Sequence, residues 1–199
     1  FDETVNYQRF DASQITLLMS CCLGTNAVEG DGSLTFDQDS DKGTVSAVDS
    51  TVITFTMAKG DLDKLKIDTS LAVDDQTTFL AATQYTIADQ NGQDLAPKDA
   101  ASAFAIASGA FTADTTLPTL VDFEFNLNAA TLTMSFDEPI NALSVKVAKF
   151  ALQGTATNPS IVVPLPSTTV HSTENGLVIT LSSIPVATLN TIKSTAGLG

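Results

Sequence analysis

The phrase FDETVN at residues 1–6 returns as FDEPIN at 136–141, and this return constrains the fold more than any other feature of the chain. At the same offset of 135, Ile15 falls on Phe150 and Leu17 on Leu152. Farther on, VIT at 52–54 falls on VIT at 178–180 at an offset of 126. Leu62, Leu65 and Lys66 then fall on Leu189, Ile192 and Lys193, and Leu71 on Leu198, all at 127. The offset shrinks because the first copy has the longer middle loop, around EGDGS (29–33) and DQDSDKG (37–43). Apolar positions meet apolar positions in unbroken order, as they do in a duplicated supersecondary unit.

Each copy reads as mainly β. TLTMSF (131–136) alternates Leu132, Met134 and Phe136 with Thr and Ser, and LVDFEF (120–125) precedes it across the turn NLNAA (126–130), so the two form a hairpin. Further strands are expected at 150–152, 161–165 and 177–181, and in the first copy at 15–18, 51–57, 78–87 and 104–111. DLDKLKI (61–67) and SIPVATLNTIK (183–193) instead space their apolar residues by three, which predicts one short helix per copy. Asp61 and Ser183 are the expected N-caps, with Pro185 early in its helix.

The predicted fold class is therefore all-β: two tandem sandwich units, residues 1–113 and 114–199, each incomplete. The first lacks the strand ahead of Phe1, and the second stops before counterparts of the strands at 78–87 and 104–111. The sequence opens with neither Met nor a secretory leader, so a longer precursor is expected. A sandwich short of a strand exposes apolar surface and unpaired peptide groups. Either the polypeptide continues or a neighbouring molecule donates a strand, and open strand addition builds head-to-tail fibres. The expected assembly edges are Phe1, Asp2, Glu3 and Val5 at one end, and Leu177, Ile179, Leu181, Leu198 and Gly199 at the other.

Charge narrows the partners. A net charge of −14 repels phosphate backbones and argues against nucleic acid and against basic membrane anchoring. No apolar run approaches a membrane-spanning length. Ser and Thr number 45, Thr alone 28, while charged residues make up 16 %, a balance that suits an extracellular strand protein.

At this point the residues resemble a family. DTTLPT (114–119), followed by TLTMSFDEPIN (131–141), is similar to the opening of tandem immunoglobulin-like repeats of the bacterial surface type, found in large extracellular surface or filament proteins. IADQNGQD (87–94) resembles a turn of those repeats, with Gln93 where Asn is usual. The resemblance spans nearly the whole chain. It implies immunoglobulin-like sandwiches and extracellular structural or adhesive work; fold alone does not give function.

Candidate sites are few. Asp37, Asp39 and Asp41 alternate in one loop, and Asp89 and Asp114 lie in a turn and a linker where units join; these carboxylates are the candidate Ca²⁺ ligands, with solvated loops and turn caps as the alternative. No cofactor is otherwise required. The one Asn-Pro-Ser sequence, at 158–160, is blocked by Pro159, so any glycan is O-linked, with Thr155, Thr157, Ser167, Thr168 and Thr169 as candidate acceptors. Cys21 and Cys22 are adjacent and poorly placed to bond to each other; they read as two thiols or as a link to another chain. With one histidine, His171, and no nucleophile-elbow motif, no enzyme is expected. The reading that follows is a structural subunit of an extracellular filament or surface array, assembled with copies of itself. The alternative is an adhesin segment that binds a glycan or surface through calcium-dependent loops.

Overall fold

The computed structural model describes residues 1–20, 32–37, 43–157, 159–167 and 169–195. Among the described residues the regular elements are mostly strands, in several small antiparallel sheets, with two α-helices. It divides into two compact units, Phe1–Thr115 and Thr116–Gly199.

In unit 1 the strands are β1 (Val5–Asn6), β2 (Ile15–Leu18), β3 (Ser33–Thr35), β4 (Thr44–Val45), β5 (Phe55–Thr56), β6 (Phe79–Ala82), β7 (Ala88–Asp89) and β8 (Phe104–Ala105), with helix α1 (Lys59–Ile67) after β5. Four of them form a sheet in the order β3-β2-β6-β8, while β1-β7 and β4-β5 are two-stranded. Ile15, Leu34, Phe36 and Leu71 are buried at the centre of this unit. Phe55 packs against them, with its ring 5.4 Å from those of both Phe10 and Phe36.

Unit 2 contains β9 (Leu120–Asn126), β10 (Thr131–Phe136), β11 (Ala151–Gln153), β12 (Val162–Pro164), β13 (Val170–Glu174) and β14 (Val178–Ser182), then helix α2 (Val186–Ser194). Its larger sheet runs β13-β14-β10-β9, and β11 pairs with β12. The alternation read in 131–136 puts Leu132 and Met134 on the buried face, opposite Leu181 and Ile179 of β14. Leu165, Ile184 and Leu189 complete the core, with Phe150 and Leu152 packed against it.

The duplication holds at the level of individual turns. Asn6 accepts a hydrogen bond from the Gln8 N–H and opens a 3-10 turn at Tyr7–Arg9; Asn141 does the same for Leu143 ahead of Ala142–Ser144. A second 3-10 turn follows in each copy, Ala12–Gln14 and Val147–Lys149. β4 and β5 share the register of β13 and β14: Thr44 lies opposite Thr56 and Val45 opposite Phe55, as Val170 lies opposite Ser182 and His171 opposite Leu181. The helices, Lys59–Ile67 and Val186–Ser194, are displaced by 127 residues at both ends.

Several element boundaries differ from the sequence reading. The expected strand at 51–57 is ordered as strand only at Phe55–Thr56, and that at 104–111 only at Phe104–Ala105. The run 78–87 breaks at Thr83, whose hydroxyl caps a 3-10 turn at Gln84–Thr86. Neither helix has the expected cap. The N-cap positions are Ala58 and Pro185, without side-chain bonds. Asp61 lies inside the first turn of α1, where its carboxylate favours the positive end of the helix and accepts the Asp37 N–H at 3.1 Å. Ser183 precedes α2 in a left-handed conformation, φ +58°. His171 lies in β13, ahead of β14, and its Nε2 is 3.1 Å from the Ala142 carbonyl.

Candidate functional site

The two copies differ most where a strand is present in one and not in the other. In unit 2, β14 is an interior strand with β13 on one side and β10 on the other. In unit 1 the counterpart of β14 is the segment Val52–Phe55, and among the described residues it has a strand partner on one side only, β4. Without a second neighbour the paired ladder is two residues long, against five between β13 and β14.

The end of the missing strand is nevertheless in place. The Phe1 amino group donates to the Thr51 carbonyl at 2.9 Å, as the Phe136 N–H donates to Leu177 at 2.9 Å. The Val5 N–H reaches the Ser50 carbonyl at 3.0 Å, as the Ile140 N–H reaches Gly176 at 2.9 Å. Phe1 therefore holds the position of Phe136.

What remains beside Phe1 is a groove of about 700 Å³. Phe1, Phe10, Ile15, Leu17, Ile53 and Phe55 are among its apolar lining residues. The same positions are closed in unit 2. Ile179 and Leu181 are 1 % and 0 % exposed, whereas their counterparts Ile53 and Phe55 are only half-buried. Backbone groups are left open as well. The Thr54 carbonyl accepts from Ser46 at 2.8 Å and so faces β4. In an antiparallel ladder alternate residues turn to opposite sides, so the peptide groups of Ile53 and Phe55 face the groove.

In unit 1, β2 is flanked by β3 and β6; in unit 2, among the described residues, its counterpart β11 pairs with β12 only, and Ala151 and Gln153 are exposed. β9 is a further edge, with Val121 and Phe123 exposed and Asp122 and Glu124 interleaved. Charges spaced along an edge oppose indiscriminate pairing.

The expected assembly residues divide accordingly. Phe1, Asp2 and Glu3 are exposed, and Phe1 and Asp2 border the groove. Val5 is a correction: it is buried in β1, paired with Asp89 and bonded to Ser50. Leu177, Ile179 and Leu181 are a second correction. β14 is interior, the Leu177 carbonyl is engaged by Phe136, and Ile179 and Leu181 fill the core. Leu198 and Gly199 lie outside the described residues. The residues that line the open face, Ile53 and Phe55, were visible in the sequence only through their alignment with Ile179 and Leu181.

The candidate calcium ligands have separate partners. Asp37 pairs with Lys64, whose ammonium this contact holds above its ordinary pKa. Asp89 is buried and accepts the N–H groups of Asn91 and Gln93 at 2.9 and 2.7 Å, so it caps its own turn. Asp114 pairs with Lys66 at 2.7 Å. Asp39 and Asp41 lie outside the described residues, as do Cys21 and Cys22. Among the described residues, no group of three or more His, Cys, Asp or Glu side chains is placed to hold a metal ion.

Of the candidate glycan acceptors, Thr155, Thr157 and Ser167 are exposed and Thr168 lies outside the described residues. Thr169 is a correction. It is 4 % exposed, and its buried hydroxyl has no hydrogen-bond partner among the described residues; a buried hydroxyl cannot receive a sugar unless the local packing opens. No described helix is long and apolar enough to cross a membrane. No protein family, curated protein or solved structure matches the chain.

Proposed function

We propose that this chain is a stretch of an extracellular filament or surface array built from tandem immunoglobulin-like sandwich units. The observation that carries the reading is the repetition of one unit in turn, register and helix along a single polypeptide. A unit of this kind is completed by strands that lie at its two ends in sequence order. Repeats of one fold joined end to end make a rod whose length scales with their number, which is structural work. Acidic charge and a Thr-rich composition fit a scaffold of this kind.

Between the two modes of completion, extension by further repeat units is favoured over exchange between copies of these 199 residues. The described hairpin, β9–β10, is already used in unit 2, and the described closing strands, β6, β7 and β8, are already used in unit 1. Swapping them between copies fills one gap by opening another.

The reading is tested on native material. Antibody raised against this chain should label cell-surface fibres or arrays in electron micrographs, with repeated beads along them. Label confined to the cell interior, on dispersed protein, overturns it.

A further inference from the structure

We propose that Asn175 is a site of spontaneous covalent modification. The Gly176 backbone nitrogen attacks its carboxamide, and the ring that forms opens to an aspartyl or isoaspartyl residue at the tip of the β13–β14 hairpin. The proposal stands apart from the array reading and concerns unit 2 alone.

The reaction favours an asparagine followed by glycine, because a Cβ on the next residue shields the attacking nitrogen. The chain has two such pairs, Asn91–Gly92 and Asn175–Gly176. Both asparagines are exposed, and both glycines are left-handed, with φ of +84° and +68°.

The two nitrogens differ in what holds them. The Gly92 N–H donates to the Asp89 carbonyl at 3.2 Å. The buried Asp89 carboxylate accepts the N–H groups on either side, from Asn91 at 2.9 Å and Gln93 at 2.7 Å. Three successive N–H groups are thus tied to one residue. In the other pair the Leu177 N–H donates to the Glu174 carbonyl at 3.1 Å, and positive φ at both central residues makes a type I′ turn. That bond closes the turn around the Gly176 N–H, which has no hydrogen-bond partner among the described residues.

The step needs only water. A bond forms from the Gly176 nitrogen to Asn175 Cγ, the Cγ–Nδ2 bond breaks, and ammonia leaves with the proton that the Gly176 nitrogen gives up. Water then opens the ring at one of its two carbonyls. One opening leaves ordinary aspartate. The other routes the main chain through the former side chain and lengthens it by one carbon.

Unit 2 tolerates the first product and not the second. At the offset of 126, Asn175 falls on Asp49, whose carboxylate accepts the Tyr7 N–H at 3.1 Å. Ordinary aspartate at 175 therefore repeats a residue that the other copy already carries. The isoaspartyl link displaces the Gly176 and Leu177 carbonyls, which accept the Ile140 and Phe136 N–H groups, both at 2.9 Å.

The test holds the whole 199-residue chain at mildly alkaline pH and body temperature. Peptide mapping by mass spectrometry, with fragmentation that separates the two products, follows both asparagines. Conversion at Asn175 should be at least about tenfold faster than at Asn91, where the Asp89 turn must open before attack. In the aged chain, amide exchange at Phe136 and Ile140 should rise by at least about tenfold while unit 1 keeps its protection. Asn175→Gly should abolish both changes, and freshly prepared Asn175→Asp should keep the protection of the unaged chain. Conversion at Asn175 no faster than at Asn91 overturns the proposal. So does unchanged exchange once Asn175 has become isoaspartyl, or equal loss of protection in aged Asn175→Gly.

Discussion

Asn6 and Asn141 do the same work 135 residues apart: each carboxamide oxygen accepts the N–H two residues ahead, at 3.0 and 2.9 Å, and turns the chain into a 3-10 turn. Losing such a cap costs about 1 kcal/mol. Asn6→Ala and Asn141→Ala should therefore each weaken their own unit by about that amount. Urea titration read by amide exchange separates the two units. Equal loss in both units from either substitution would contradict their independence.

Leu181 is 0 % exposed, and its counterpart Phe55 is half-buried at the groove. Leu181→Ala leaves a cavity in a closed core and should cost about 3 kcal/mol. Phe55→Ala removes a larger side chain from an open face and should cost less, below about 2 kcal/mol. Denaturant midpoints on the two variants check the order. The opposite order would mean that unit 1 is already closed.

The β13–β14 turn depends on Asn175 and Gly176, both left-handed with φ of +48° and +68°. A Cβ on Gly176 would lie 3.0 Å from Pro139 Cβ and 3.3 Å from the Ile140 nitrogen. Gly176→Ala should destabilise unit 2 by about 1–3 kcal/mol, from strain and the displaced Ile140 bond. Asn175→Gly should be tolerated. Thermal midpoints of the two variants give the comparison.

Two carboxylates in unit 1 contribute to its response to acid, the exposed Asp74 less than Asp68. The Thr77 hydroxyl, with the N–H groups of Gln76 and Thr77, holds Asp74 below its ordinary pKa. Burial alone raises Asp68, but bonds from Ser70 and Leu71 outweigh it and hold the group low. A depressed carboxyl stabilises above the unfolded pKa, about 3.9, and that stability is lost as pH falls through the folded value. Unit 1 should keep a steady midpoint from pH 7 to about 5 and lose stability below about 4. Asp68→Asn should flatten that acid limb, and melting curves at stepped pH measure it.

Thr169 has a buried hydroxyl with no partner among the described residues. Val has nearly the same shape and nothing to satisfy, so Thr169→Val should be neutral or stabilising by about 1 kcal/mol. A loss above that would reveal a partner for the hydroxyl.

Much of the fold was legible because period and duplication are written in side chains. Leu132, Met134 and Phe136 announced β10, and the spacing of Leu189 and Ile192 announced α2. The short strands were not legible. Val5–Asn6, Thr44–Val45 and Ala88–Asp89 are two residues each, too brief for any alternation to show. The caps of both helices were misread because Ala58 and Pro185 begin them through backbone geometry alone. The edge was misplaced for a related reason. A neighbour on both sides of β14 is a tertiary fact, and VIT reads alike at 52–54 and 178–180 although one copy is open and the other enclosed. Thr169 looked like the hydroxyls around it, and only packing separates them.

The open row in unit 1 has a cost for anyone handling the isolated molecule. VITFTM at 52–57 contains no charge, no Pro and no Gly, and every residue in it favours extended backbone or tolerates it. That is the composition from which steric zippers are built. Left uncovered at high concentration, it is where irreversible β-deposits would start.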